Sequence, residues 1–219
     1  MLPVKLRRIS WGVLGIEAAA IFLSVFLAFA VSAWRESQNE EALRTQALQN
    51  FYTEILENRR AVSEAIPYHE EVYANLRRVL FAPELPFDRI EEGMQEIGWR
   101  GPNPVFLRRI AYETAEITGA LGLFDFETAA TVAEVYALQD ALHEGQLRFQ
   151  TESAYNPLSF VPENLRGTLW VALVYFESSV NGERGLLSVY DGALRTIAEA
   201  LDDPAFPAPL DSTAADAVG

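Results

Sequence analysis

His143-Glu144-Gly145-Gln146-Leu147 begins like the helix of a zinc protease. In that helix, histidines at i and i+4 turn their imidazoles toward one metal and the glutamate between them serves as general base. Leu147 stands where the second histidine belongs, so the motif fails. Asp140 and His143, three residues apart on a helix, share a face and could hold one cation. A metal site inside a helical bundle needs more, namely two Glu-x-x-His units and two further glutamates. The chain has two histidines, and neither His69 nor His143 belongs to such a unit. It has no cysteine, which removes thiolate ligands, cysteine nucleophiles and disulfides without choosing a redox compartment. No glycine-rich phosphate loop, Gly-x-Ser-x-Gly elbow or Ser-x-x-Lys pair occurs. The expectation is a protein that is not an enzyme and uses no metal or cofactor.

The most informative stretch is Trp11 to Trp34, which carries a single charge, Glu17. A hydrocarbon core about 30 Å thick takes roughly 20 apolar residues in a helix. Residues 11–34 are therefore read as a transmembrane helix, residues 1–10 as a short cytoplasmic tail and everything after Trp34 as lying on one side of the bilayer. Lys5, Arg7 and Arg8 precede the span, whereas Arg35 and Arg44 follow it among Glu36, Glu40 and Glu41. By the positive-inside rule the N-terminus is cytoplasmic and the C-terminal domain periplasmic, in a bacterial inner membrane. The rival reading is a cleaved signal peptide, with Ala28-Phe29-Ala30 or Val31-Ser32-Ala33 as the cleavage site. Against it, the apolar run exceeds the usual core of about 7–15 residues, and the helical pattern continues past Trp34.

Within the span, Ala20, Ser24, Ala28 and Ser32 recur every four residues. Repeated small residues at this spacing let a second helix approach closely. Glu17 borders the row, and its neighbours Val13, Leu14, Ala20 and Ile21 offer a carboxylate nothing to pair with. Three fates are open to it: snorkelling to the headgroups, a contact on another helix, or proton coupling to an energised partner. Glu17, Ala20, Ser24, Ala28 and Ser32 form the candidate helix–helix interface.

From Arg35 onward the chain has 14 arginines against 30 acids, a net of −16. Such a surface repels phosphate backbones, so nucleic acid is excluded as a partner. The partners expected are the lipid bilayer and either another membrane protein or a second copy of this chain.

The elements that must carry these residues are helical. Leu48, Phe51, Ile55, Asn58, Val62, Ala65, His69, Val72, Leu76 and Val79 step by three and four without a slip. That is a coiled-coil-like seam with two polar members, one of them His69. Pro67 falls inside it, and a kink after Ala65 is expected. A short helix is expected over 88–97. Asn103 is expected to cap a helix opening at Pro104 and stopping at Gly122. Asp125 should cap a helix to about Glu152 that turns Val132, Val135, Tyr136, Leu142 and Leu147 inward. Pro157 and Pro162 bracket a loop, with Pro162 opening the next helix. Gly182 and Gly185 should turn the chain into a last helix carrying Leu187, Tyr190, Leu194, Ile197 and Leu201. Tyr112, Tyr136, Trp170, Tyr175 and Phe176 read as core, or as the lining of a small apolar pocket. Trp99, on a Gly/Pro loop, either plugs the bundle or contacts a partner. The fold class is all-α: a transmembrane helix continuing into a helical stalk and an antiparallel bundle over 35–203, then a disordered tail over 204–219.

Two stretches resemble a widespread bacterial family of single-span, membrane-anchored helical proteins whose domain has no known function. One is Leu27-Ala28-Phe29-Ala30 with Trp34-Arg35-Glu36, followed by Glu54-Ile55-Leu56-Glu57-Asn58. The other runs from Ala111-Tyr112-Glu113-Thr114-Ala115 through Thr118-Gly119-Ala120 to Val135-Tyr136-Ala137-Leu138-Gln139. The resemblance implies an anchored, helical envelope protein and carries over no activity or site residues. Two functions remain in view. One is association through the span and bundle surface, as a scaffold or accessory subunit. The other is ligand sensing by a periplasmic bundle that signals through a partner membrane protein.

Overall fold

The structure is a computed structural model describing residues 11–83, 90–161 and 163–208. The expected tail 1–10, Pro86 and Asp88, Pro162 and residues 209–219 lie outside that description. Among the described residues there are five α-helices and no strand: α1 (Trp11–Leu80), α2 (Ile90–Glu96), α3 (Ile110–Thr118), α4 (Phe126–Phe149) and α5 (Leu165–Leu201). Single turns of 3₁₀ helix cover Ala120–Leu123 and Pro157–Phe160, and a π-helical turn covers Gln150–Ala154. The all-α expectation holds.

The chain divides into a unit ending at Arg44 and a unit beginning at Thr45. In the first, α1 is exposed from Gly15 to Ala42. It is long and apolar enough to cross a membrane, with a mean hydropathy of 2.2 over an 18-residue stretch. In the second unit, all ten seam positions from Leu48 to Val79 are buried, Asn58 and His69 included. The expected kink does not divide the helix: α1 is assigned without interruption through Pro67. Proline removes one hydrogen bond and costs about 3 kcal/mol. Val62 and Val72, on either side, are fully buried on one continuous seam. Each such side chain contributes about 1.5–3 kcal/mol, enough to hold both halves in phase.

α5 runs antiparallel to α1. Arg59 pairs with Asp191 at 2.6 Å, Glu70 with Arg184 at 2.6 Å, and Tyr73 donates to Glu177 at 2.9 Å. Gly182 and Gly185 do not turn the chain; both lie inside α5. A helical glycine costs about 1 kcal/mol, whereas the buried row Val180, Glu183, Leu186, Tyr190 runs through this point unbroken. α4 keeps Asp125 as its N-cap, whose carboxylate accepts from the Thr128 N–H at 2.9 Å. Val132, Val135 and Tyr136 are buried as expected, but Leu147 is half exposed. Trp170, read as core, is also exposed and meets Phe81 edge-on at 5.5 Å. Tail residues 204–208 are not loose: Tyr52 donates to the Pro207 carbonyl at 2.6 Å and stacks edge-on against Phe206.

The largest departure is before α3. Asn103 caps no helix; it takes a positive φ of 45°, and α3 starts at Ile110 instead of Pro104. The backbone between is held by side chains of α1 and α4, so it is not free to close helical hydrogen bonds.

Candidate functional site

On α1 the candidate interface residues Glu17, Ala20, Ser24, Ala28 and Ser32 are all exposed. The Ser24 hydroxyl donates to the Ala20 carbonyl at 2.8 Å, so it is satisfied within its own helix and leaves a small, smooth row. Trp99 is half-buried, and its ring packs against Phe176 at 5.9 Å and Phe149 at 6.5 Å.

The bundle's polar interior is organised around the non-helical segment 100–109 and the first turn of α3. Tyr68 accepts from the Arg100 N–H at 2.9 Å and donates to the Gly101 carbonyl. His69 Nε2 meets the Asn103 carbonyl at 3.0 Å; a carbonyl only accepts, so this nitrogen carries hydrogen. The Gln146 amide, oriented to satisfy both its atoms, meets the Val105 N–H at 3.2 Å and carbonyl at 3.3 Å. Asn58 does the same for Arg108, at 2.8 and 2.7 Å. Glu54 accepts from the Ala111 N–H at 3.0 Å. These side chains satisfy a backbone that has no strand to pair with. Behind them, His69 Nδ1 lies 2.7 Å from Glu183 Oε1 with both side chains fully buried, and Glu183 Oε2 has no partner. Glu54 also accepts from Tyr136 at 2.6 Å. Burial first, then this carboxylate, pushes the Tyr136 phenol far above its ordinary value. Burial pushes Tyr175 up to about 12, and raises Tyr190 and Tyr68 as well.

Outside this layer, α4 and α5 part to leave a groove of about 500 Å³. Leu138, Leu142 and Phe149 line one wall and Val171, Val174 and Tyr175 the other, with Phe149 and Tyr175 stacked at 3.9 Å. Gly145 and Gly182 keep it open. Gln146, Arg148, Glu152, Ser153, Ser178 and Ser179 supply its polar groups. Of the aromatics expected to line a pocket, Tyr175 does so. The size and mostly apolar lining fall within the range of ligand sites. The residues weighed for metal are engaged or apart: Asp140 pairs with Arg109, and His143 is exposed.

The sequence expectations include a small apolar pocket but not the position of this groove between α4 and α5, and they do not include the His69–Glu183 pair. The pair had a signal. Glu183 stands in an apolar row with Val180, Leu186 and Tyr190, as His69 does in the seam, and a carboxylate there needs a buried partner. Gln139 and Gln146 interrupt the α4 row in the same way. Beyond Tyr175, the position of the groove had none, because its walls are mostly outward residues of helices whose pairing fixes it. No protein-family model, curated protein or solved structure matches this chain.

Proposed function

We propose that this protein is a single-span, membrane-anchored association protein of the bacterial inner membrane, with its N-terminus cytoplasmic and its bundle periplasmic. The observation that carries the reading is the exposed apolar run Gly15–Trp34, which belongs to the same helix as the bundle's buried seam. Twenty residues of α-helix reach about 30 Å, the thickness of a hydrocarbon core. Lys5, Arg7 and Arg8 ahead of it and the acidic flank behind it support the orientation. Glu17 beside the row Ala20, Ser24, Ala28 and Ser32 supports a helix partner, because close packing and polar pairing drive association in lipid. Two experiments test this. C-terminal fusions should give alkaline phosphatase activity and no fluorescence from a reporter that matures only in the cytosol; the reverse refutes the topology. Ser24→Leu with Ala28→Leu should weaken in-membrane crosslinking while insertion persists; crosslinking equal to wild type, to itself and to other proteins, would make the span an anchor only.

A second reading, ligand sensing by the bundle, is favoured by the α4–α5 groove, whose volume and apolar walls suit a small molecule.

A further inference from the structure

We propose that the groove between α4 and α5 binds a single-chain amphiphile with an anionic head, a fatty carboxylate in type, with the tail along the apolar walls and the head on Arg148. The inference rests on the ligand reading of the groove and is independent of what the span associates with. Its α5 wall runs from Val171 to Gly182. Eleven residues of helix rise about 16 Å, close to half a hydrocarbon core and so the reach of one lipid tail. Val171 and Val174 remain about half exposed at this wall, apolar surface that a tail would cover. The glycines matter here: a Cβ on Gly182 would stand 3.4 Å from Leu142, and one on Gly145 would enter open space.

Charge complementarity selects the head. Eight other arginines of the described residues are paired with acids: Arg44, Arg59, Arg60, Arg78, Arg100, Arg108, Arg109 and Arg184. Arg148 borders the groove with no such pair, although Glu152 lies one turn on and borders it too. Its guanidinium donors are thus free to take a carboxylate. The acidity of the rest of the domain opposes an anion only at long range, and physiological salt screens that beyond about 8 Å. Contact with the exposed Arg148 guanidinium is local.

The test uses the full chain in lipid nanodiscs and a laurate analogue bearing a diazirine at the tail end. After photolysis, labelled peptides are mapped by mass spectrometry. Saturable labelling within residues 138–182, competed by unlabelled laurate, is expected. Arg148→Gln should weaken it about tenfold, the scale of one charge-assisted hydrogen bond, while Arg148→Lys retains most of it. Ala141→Trp, at an exposed position on the groove wall, should block labelling while helicity and melting stay those of wild type. The same probe with an alcohol head should bind weakly and ignore Arg148→Gln. Equal labelling by acid and alcohol would overturn the anionic head and leave the ligand reading intact. Absence of saturable labelling by either probe would overturn both. Capture of a partner's helix in the groove, lost in Ala141→Trp with no competition by laurate, would likewise overturn the proposal.

Discussion

Asn58→Ala should loosen the bundle through a segment that is not itself helical. Asn58 is 1% exposed, and its amide holds both backbone groups of Arg108, the N–H at 2.8 Å and the carbonyl at 2.7 Å. Truncation removes both bonds. A typical hydrogen bond contributes about 0.5–1.5 kcal/mol net, and an orphaned buried group costs about 1–3 kcal/mol. Both bonds are only part-buried, so the lower scale applies. Two bonds then give a loss of about 1–3 kcal/mol. Asn58→Asp should be at least as damaging, because a carboxylate can accept from the N–H but only repels the carbonyl. Leu56→Ala, one turn face away and half exposed, should stay within about 0.5 kcal/mol of wild type. Urea unfolding of the detergent-solubilised chain, followed by helical circular dichroism, gives the free energies. Hydrogen exchange over residues 104–110 shows whether the clip has opened. Asn58→Ala with an unchanged midpoint and unchanged exchange would refute the idea that side chains of α1 hold this segment in place of helix.

Phe51→Ala or Ile55→Ala, both fully buried on the seam, should each cost about 2–5 kcal/mol, whereas exposed Glu40→Ala should do little; equal effects in the same melts would contradict the seam. Gly185→Ala, in a helix interior with open space around the new Cβ, should stabilise by about 0.5–1 kcal/mol, and a lowered midpoint would contradict the continuous α5. Alkali should unfold the bundle through its tyrosines. Tyr175 is raised from an ordinary value near 10 to about 12, so its contribution is complete below about pH 10 and lost as pH climbs through 12; Tyr136 and Tyr190 are raised in the same direction by burial. Tyrosinate absorbance and loss of helix should therefore rise together, and ordinary titration of all the tyrosines in a fully helical protein would refute the assignment.

The elements that periodicity could reach are those whose burial is set by a single helix face. The seam from Leu48 to Val79 is legible because ten residues obey one phase, and that phase carries α1 across Pro67 although proline's local rule says break. Gly182 and Gly185 mislead for the same reason, since their local preference is worth less than the buried row on either side. Asn103-Pro104 misleads differently. Its sequence is a good helix start, but Asn58, His69 and Gln146 lie roughly 35 to 50 residues from it in sequence and take its backbone groups first. Local signals fail where a distant side chain satisfies the hydrogen bonds that local structure would otherwise make. That also marks where a polar residue in an apolar row deserves a partner search: Asn58, His69, Gln146 and Glu183 are each such a residue, and the structure gives each a partner. The apolar run Gly15–Trp34 is legible as a helix long enough to cross a membrane for the opposite reason. Its residues are exposed, so composition alone describes them, and that exposure is what makes Glu17 and the small-residue row a site to test in lipid.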